Sequence, residues 1–142
     1  MLLPDINLLV YAYDADAPHH KDARAWLEDA LSGTRPVGMP WLVVLGFIRI
    51  MTHRRILRKP MTVAESVKAV RTWLEHPLVE IVTPGERHAE ILFDLLVKLG
   101  TAGNLTTDAH LAALAIEYDA ELVSADPDFS RFRGLRWFNP VK

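Results

Sequence analysis

Short apolar runs alternate with longer segments of helical periodicity along the chain. Leu2 and Leu3 form a very short predicted strand, which turns at Pro4 and leads into a helix over Ile6 to Tyr13. Apolar residues at helical spacing then predict a second helix, which ends at Gly33; they are Ala23, Trp26, Leu27, Ala30 and Leu31. The chain therefore opens with a strand, an aspartate and two helices.

The same alternation continues as far as residue 126. The next predicted elements are an extended segment, a buried helix, a capped helix, a strand, two more helices and a last strand: 36–40, 41–51, 61–76, 79–82, 86–99, 106–118 and 121–124. Thr62 and Glu65 match a capping box in the third of these, and Gly100 ends the helix over 86–99. Strands that alternate with helices predict an α/β sandwich around a mostly parallel sheet.

The chain has the composition of a single globular domain. With 142 residues, half of them hydrophobic, it has the size of a single domain with one core. No cysteine is present, so any metal must be bound by oxygen or histidine. The N-terminus lacks the basic region of a secretory signal, and the longest uncharged stretch, Pro36 to Ile48, is shorter than the ~20 residues of a membrane span. We expect a cytoplasmic protein without a membrane segment.

Two aspartates each follow a short apolar strand, and a third lies near the start of a helix. Asp5 follows the first predicted strand, Asp126 follows the last, and Asp108 lies in the first turn of the helix that precedes Asp126. In an open parallel sheet, ligands bind beyond the carboxyl ends of the strands. If the two strands are neighbours, we expect all three carboxylates at the same edge.

Carboxylates this close repel one another and raise each other's pKa unless a cation lies among them. Mg²⁺ or Mn²⁺ suits such a site, because both ions prefer oxygen ligands and bind substrate phosphates through one or two carboxylates. Each aspartate also has a purely structural interpretation: a turn residue at Asp5, a charge at a helix start at Asp108, and a cap in Asp126-Pro127-Asp128. Their joint placement favours a site.

Four segments, spread over nearly the whole chain, together carry a family resemblance. They have the sequences LPDINLL at 3–9, FIR at 47–49, TDAHLAALA at 107–115 and LVSADPDF at 122–129. In this order and spacing the chain resembles the PIN-domain ribonucleases, and among them the VapC-type toxins of bacterial toxin–antitoxin pairs. No single segment would suffice for that resemblance.

The resemblance implies a three-layer α/β/α sandwich in which residues 1–142 form a single PIN-like domain. It implies a Mg²⁺- or Mn²⁺-dependent endoribonuclease, in which a metal-activated water hydrolyses RNA phosphodiester bonds. It also implies a homodimer and a cognate VapB-type antitoxin, a segment of which lies over the acidic cleft and holds the toxin inactive.

Carried over residue by residue, the resemblance assigns three catalytic carboxylates that also bind the metal: Asp5, Asp108 and Asp126. Asp128 is a further expected metal ligand, and Asn7 lies nearby. Thr107 and Ser124 flank these aspartates in the sequence, so we expect them to support a carboxylate or a metal-bound water by hydrogen bonds.

The chain departs from the family at one position. The family commonly has a glutamate on the helix after the second strand, and Gly46 occupies that position in our alignment. The site therefore lacks the usual fourth carboxylate, and either Asp128 or water fills the gap or activity is reduced or lost. The glycine itself indicates close packing within an apolar helix, since it costs about 1 kcal/mol in helix propensity.

A local excess of positive charge distinguishes the middle of the chain. The whole molecule carries a net charge of only −2, which by itself attracts no nucleic acid. No acidic residue lies between Asp29 and Glu65, however. We expect the cations of that interval to bind RNA phosphates or the acidic groups of a partner; they include Arg49, Arg54, Arg55, Arg58 and Lys59.

Three functions remain open from the sequence. The leading hypothesis is a PIN-fold endoribonuclease toxin, because the three aspartates are intact. Gly46 motivates a second, a degenerate PIN module that binds RNA or its antitoxin without cleavage. A third is a Mg²⁺-dependent phosphatase with an aspartate nucleophile. His19 and His20 lack the partners of a metal site, and we expect them in a loop that leads into a helix.

Overall fold

A five-stranded parallel sheet forms the centre of the molecule in the computed structural model, which describes residues 1–142. The strands are β1 (Leu2–Pro4), β2 (Val37–Pro40), β3 (Val79–Val82), β4 (Glu121–Val123) and β5 (Arg136–Phe138). Their order across the sheet is β3-β2-β1-β4-β5, so β1 lies at the centre between β2 and β4. The sheet is parallel throughout, where the sequence predicted a mostly parallel one.

Six α-helices flank this sheet. They are α1 (Ile6–Tyr13), α2 (His20–Leu31), α3 (Trp41–Met51), α4 (Val63–Leu74), α5 (His88–Leu99) and α6 (Thr106–Glu117). Contacts join α1 to α2 and α3, and α3 to α4, whereas α5 packs against α6. The predicted α/β/α architecture is confirmed. None of these helices combines the length and hydropathy needed to cross a bilayer.

Local sequence signals explain where several elements begin and end. Thr62 and Glu65 form the expected reciprocal capping box at the start of α4. Gly100 ends α5 with φ 76°, a left-handed conformation that favours glycine. Strand β5 was not predicted, because its three residues form no clear apolar pattern. In the structure only Trp137 of the three is partly buried.

An aromatic cluster holds three helices of one layer together. Tyr13, Phe47 and Trp73 come from α1, α3 and α4, and their rings meet edge to face with centroid separations of 4.6 to 5.7 Å. Trp73 Nε1 donates a hydrogen bond of 2.8 Å to the Tyr13 hydroxyl. This cluster fixes α1, the helix that begins directly after Asp5.

Gly46 allows α3 to pack closely against the first turn of α1. A Cβ atom at residue 46 would lie 2.5 Å from Ile6 Cδ1 and 2.9 Å from Ile6 Cγ1, separations that real Cβ atoms do not show. The close packing expected at this glycine is therefore confirmed. The contact positions Ile6, the residue that follows Asp5.

We expect Gly46→Ala to lower the free energy of unfolding by about 1 kcal/mol, because overpacking costs roughly 1–3 kcal/mol and exceeds the gain in helix propensity. In an Ile6→Ala background, the same substitution should be neutral or stabilising, since the clashing side chain is gone. Urea denaturation of the four proteins of this double-mutant cycle measures the coupling. Equal effects of Gly46→Ala in both backgrounds would contradict the packing account.

Candidate functional site

The residues that follow β1 and β4 meet at one edge of the sheet. The two strands are adjacent and parallel, with Pro4 opposite Val123, and the Asp5 N–H donates a 3.0 Å hydrogen bond to the Val123 carbonyl. The chain builds β2 and β3 on one side of β1, then β4 and β5 on the other. Open α/β sheets bind ligands at such a reversal of strand order.

Asp5 is buried at this edge and is held by hydrogen bonds on both carboxylate oxygens. Its Oδ1 accepts from the Leu8 N–H at 2.9 Å, which caps α1, and its Oδ2 accepts from the Ser124 hydroxyl at 2.5 Å. The Ser124 oxygen in turn accepts from the Asp126 N–H at 2.9 Å. Ser124 thus connects the ends of β1 and β4.

Strand β5 supports this connection from the other side. Trp137 Nε1 donates a 3.0 Å hydrogen bond to the Ser124 carbonyl, and the Ser124 N–H donates to the carbonyl of Phe138 at the same distance. Ser124 is therefore bonded through its backbone and its side chain, and it is fully buried.

Three more carboxylates form a cluster at this edge of the sheet, and Asp5 is not a member of it. One carboxylate oxygen from each of Asp108, Asp126 and Asp128 lies within 4.8 Å of the others. Asp126 caps the short 3-10 helix Pro127–Arg131, and its Oδ1 accepts from the Asp128 N–H at 2.9 Å. Asp108 reaches the group from the first turn of α6.

The electrostatics of the group follow from burial and like charge. Burial is the main cause that raises the pKa of Asp108 to about 6, and the charges of Asp126, Asp5 and Asp128 raise it further. Burial also raises the pKa of Asp5, although the hydrogen bonds from Ser124 and Leu8 oppose that shift. Ionisation of these carboxyl groups at neutral pH therefore lowers the stability of the folded protein.

A small pocket of about 140 Å³ opens at the carboxylates. Asp5, Asp108 and Asp126 line it together with Arg49 from α3, whereas Asp128 does not. Asn7 and Thr107 also line the pocket, and both are exposed. The Ser124 hydroxyl bonds to Asp5, but neither the Asn7 amide nor the Thr107 hydroxyl forms a hydrogen bond to an aspartate.

A divalent cation fits this donor set. All candidate ligands are carboxylate oxygens, which Mg²⁺ and Mn²⁺ prefer, and a cation among them would offset the repulsion that raises the pKa of Asp108. Asp108, Asp126 and Asp128 are the residues closest to one another, and Asp5 adjoins them from the pocket wall.

At Gly46, where the family commonly has a glutamate, an apolar side chain fills the adjacent space. Ile6 lines the acidic pocket and occupies the space beside Gly46, on the same face of α3 as Arg49. A glutamate at residue 46 would clash with Ile6 unless that side chain moved. The sequence indicated close packing at Gly46, but it carried no signal that Ile6 is the side chain that packs there.

The predicted basic residues fall into two groups. Arg49 lies in the acidic pocket but forms no ion pair with its carboxylates. The others occupy the segment between α3 and α4, and all are exposed and unpaired: Arg54, Arg55, Arg58 and Lys59. This basic segment is available to bind phosphates.

A second cavity, of about 250 Å³, adjoins the acidic pocket and shares Asn7 and Asp126 with it. Tyr11 and His19 form its other polar walls. The only signal for Tyr11 along the chain is its spacing of four residues from Asn7, which puts both on one face of α1. His19 precedes α2, as expected for a loop residue.

Comparison with known proteins agrees with this geometry. The PIN domain family matches residues 2–135. Ribonuclease VapC33 of Mycobacterium tuberculosis is 46% identical over 142 residues, which cover 100% of this chain and 99% of that protein.

Two solved structures share the fold. VapBC2 from Rickettsia felis, bound to a DNA fragment from its promoter, matches with a TM-score of 0.71 and 19% identity over 97% of both chains. Mycobacterium tuberculosis VapC20, a sarcin–ricin loop cleaving toxin, matches with a TM-score of 0.69 and 18% identity over 96% of this chain and 99% of that chain. The chain belongs to the PIN-domain family and, within it, to the VapC ribonucleases.

Proposed function

We propose that residues 1–142 act as one PIN-like domain that cleaves RNA, as the divalent-metal-dependent endoribonuclease toxin of a toxin–antitoxin pair. The observation that carries the proposal is the convergence of Asp5, Asp108 and Asp126 on one pocket beyond the central strands β1 and β4. Membership of the VapC ribonucleases supports RNA as the substrate.

Asp5, Asp108, Asp126 and Asp128 would hold Mg²⁺ or Mn²⁺. When bound, the ion supplies a polarised water and neutralises phosphate charge, which is the chemistry that phosphodiester hydrolysis requires. Asp108 and Asp126 line the pocket itself, and Asp128 extends the carboxylate group toward solvent.

The protein's own contribution is to position these groups. Asp5 is fixed by the Leu8 N–H and the Ser124 hydroxyl, so its carboxylate loses little freedom on binding a ligand. Asp108, with a pKa near 6, is ionised at neutral pH but takes up a proton in mild acid. Because a proton competes with the metal for this carboxylate, we expect the affinity of the metal-free protein for Mn²⁺ to fall as the pH drops through 6.

Positive charge lies where an RNA backbone would need it. The unpaired Arg49 guanidinium shares the pocket with the carboxylates and can donate two parallel hydrogen bonds to a phosphate. The exposed basic segment at residues 54–59 follows the end of α3, the helix that carries Arg49, and its cations can bind further phosphates.

Partners follow from the same proposal. A VapB-type antitoxin is supported by the likeness to VapBC2 and to the VapC ribonucleases. A homodimer is supported by exposed apolar side chains one turn apart on α5, where Phe93 is 60% and Val97 is 79% exposed.

A second candidate is a module that binds RNA or antitoxin without cleavage. The observation in its favour is that Ile6 fills the space beside Gly46, so no glutamate completes the carboxylate set from α3. Cleavage by the purified protein decides between the two candidates.

We expect antitoxin-free protein to cut total cellular RNA at discrete positions with Mn²⁺ or Mg²⁺ and not with EDTA. Asp5→Asn should lower the rate at least 100-fold, because the amide keeps the shape of the carboxylate but removes the negative charge. Mapping of new RNA ends measures both effects. Asp94→Asn, an exposed aspartate on α5, is the matched control and should cut like the parent.

Unchanged cleavage by Asp5→Asn would contradict the proposed site. An absence of cuts from folded protein would favour the binding module. Gly46→Glu combined with Ile6→Ala is then the variant that tests whether a fourth carboxylate creates activity, since the single substitution clashes.

Asp108→Asn should stabilise the metal-free protein at pH 7.5 and have little effect at pH 4. Because the folded pKa of about 6 exceeds the ordinary aspartate value of 3.8, the folded state binds the proton more tightly, and stability falls as the pH rises between these values. We expect a gain of about 1–2 kcal/mol at pH 7.5, after allowance for solvent screening of a half-exposed group. Urea denaturation in EDTA measures it, and an equal effect at both pH values would rule out the electrostatic origin.

Arg54→Gln should weaken binding of a single-stranded oligoribonucleotide and flatten its salt dependence. Loss of one phosphate contact lowers the slope of log affinity against log salt by roughly 0.7. Fluorescence anisotropy in EDTA, where cleavage is blocked, measures the slope. Lys98→Gln is the control, because Lys98 is already paired with Asp94 at 2.9 Å. Identical slopes for the parent and Arg54→Gln would remove the basic segment from the RNA surface.

A further inference from the structure

The cavity beside the acidic pocket contains polar side chains that the fold leaves unused. Asn7, Tyr11 and His19 line it with Asp126, and the side chains of the first three form no hydrogen bond within the protein. Tyr11 takes part only through its backbone, whose carbonyl accepts from His20 Nδ1 at 2.8 Å. Asn7 is exposed and Tyr11 and His19 are half-buried, so all three side chains can bond to a molecule that enters the cavity.

The aromatic wall of this cavity is fixed in place. The rings of Tyr11 and His19 meet edge to face with a centroid separation of 5.4 Å and an angle of 64°. The hydrogen bond from His20 anchors the Tyr11 backbone to the start of α2. Burial, and then the charges of Asp5 and Asp126, raise the pKa of Tyr11, so its phenol remains a neutral donor.

The side chains that line the cavity indicate which kind of ligand it can bind. No lysine or arginine lines the cavity, so its walls offer no strong cation for a phosphate group. A phenol ring, an imidazole and a carboxamide suit a flat, neutral heteroaromatic ring with hydrogen-bonding edges. The cavity also opens next to the acidic pocket, with Asn7 and Asp126 common to both, so its occupant adjoins whatever is bound at the carboxylates.

We propose that this cavity binds the unpaired nucleobase of the nucleotide next to the scissile phosphate, with Tyr11 and His19 as its stacking wall and the Asn7 amide at its edge. The proposal rests on the proposed function of the adjoining pocket. It requires the bound nucleotide to be unpaired, because a base that is stacked within a duplex cannot enter the cavity. It also makes Tyr11, His19 and Asn7 determinants of which base is cut.

Base binding is tested first without cleavage. A short single-stranded oligoribonucleotide that carries 2-aminopurine is titrated with the full chain in EDTA, and stacking is followed by the quenching of its fluorescence. We expect Tyr11→Leu and His19→Ala to weaken binding, Tyr11→Leu by roughly tenfold, as for loss of one base–aromatic stack. The same sequence in a duplex should bind without quenching.

Two further variants separate stacking from other effects. Tyr11→Phe keeps the ring and should retain most of the affinity, whereas Trp41→Leu removes an exposed aromatic ring at the start of α3 and should bind like the parent. Unchanged affinity and quenching in Tyr11→Leu and His19→Ala would overturn the proposal and assign the cavity to another ligand, such as a side chain of a protein partner. Equal losses in Tyr11→Phe and Tyr11→Leu would overturn the stacking role.

Cleavage then distinguishes this proposal from the proposed function. If the parent cuts RNA with Mn²⁺ and Tyr11→Leu cuts the same positions with the same relative rates, the base site is wrong while the nuclease stands. If the parent does not cut but quenching depends on Tyr11, the nuclease is wrong while the base site stands. We expect cutting by the parent and an altered choice of positions in Tyr11→Leu and His19→Ala.

Discussion

The parallel pairing of β1 with β4 is the constraint on which the rest of the site depends. Because these strands are neighbours at the centre of the sheet, Asp5 and Asp126 leave it at the same edge. The Ser124 hydroxyl bonds to both of their chain segments and is itself fully buried. The start of α6 adds Asp108, and the carboxylates meet in a volume where their charges repel one another.

The surrounding fold offsets this repulsion with apolar packing. The aromatic cluster of Tyr13, Phe47 and Trp73 fixes α1, and the contact between Gly46 and Ile6 brings α3 against its first turn. The same contact closes the space in which a further acidic side chain would reach the pocket. The packing of α3 against α1 thus both supports the segment that follows Asp5 and limits the number of carboxylates in the pocket.

The sequence predicted most of the fold, because its apolar periodicity and caps are strong and local. It also predicted that Asp5, Asp108 and Asp126 lie at one edge of the sheet, since their positions after strands and at a helix start are visible along the chain. It could not predict that Ile6 fills the space beside Gly46, or that Tyr11 and His19 share a cavity with Asn7, because those contacts depend on how helices pack. Strand β5 was not predicted for a related reason: its backbone pairs with β4, and that pairing is not visible in the local sequence.

We propose that the carboxylates beyond β1 and β4 form a divalent cation site. Calorimetric titration of metal-free protein with Mn²⁺ at pH 6.5, in two buffers that differ in their heat of ionisation, tests this directly. We expect saturable binding with proton release. The release should diminish in Asp108→Asn, because Asp108 has a pKa of about 6 and a fraction of its carboxyl groups is still protonated at this pH. An absence of binding at millimolar Mn²⁺, or equal affinity in the parent and Asp126→Asn, would contradict this proposal.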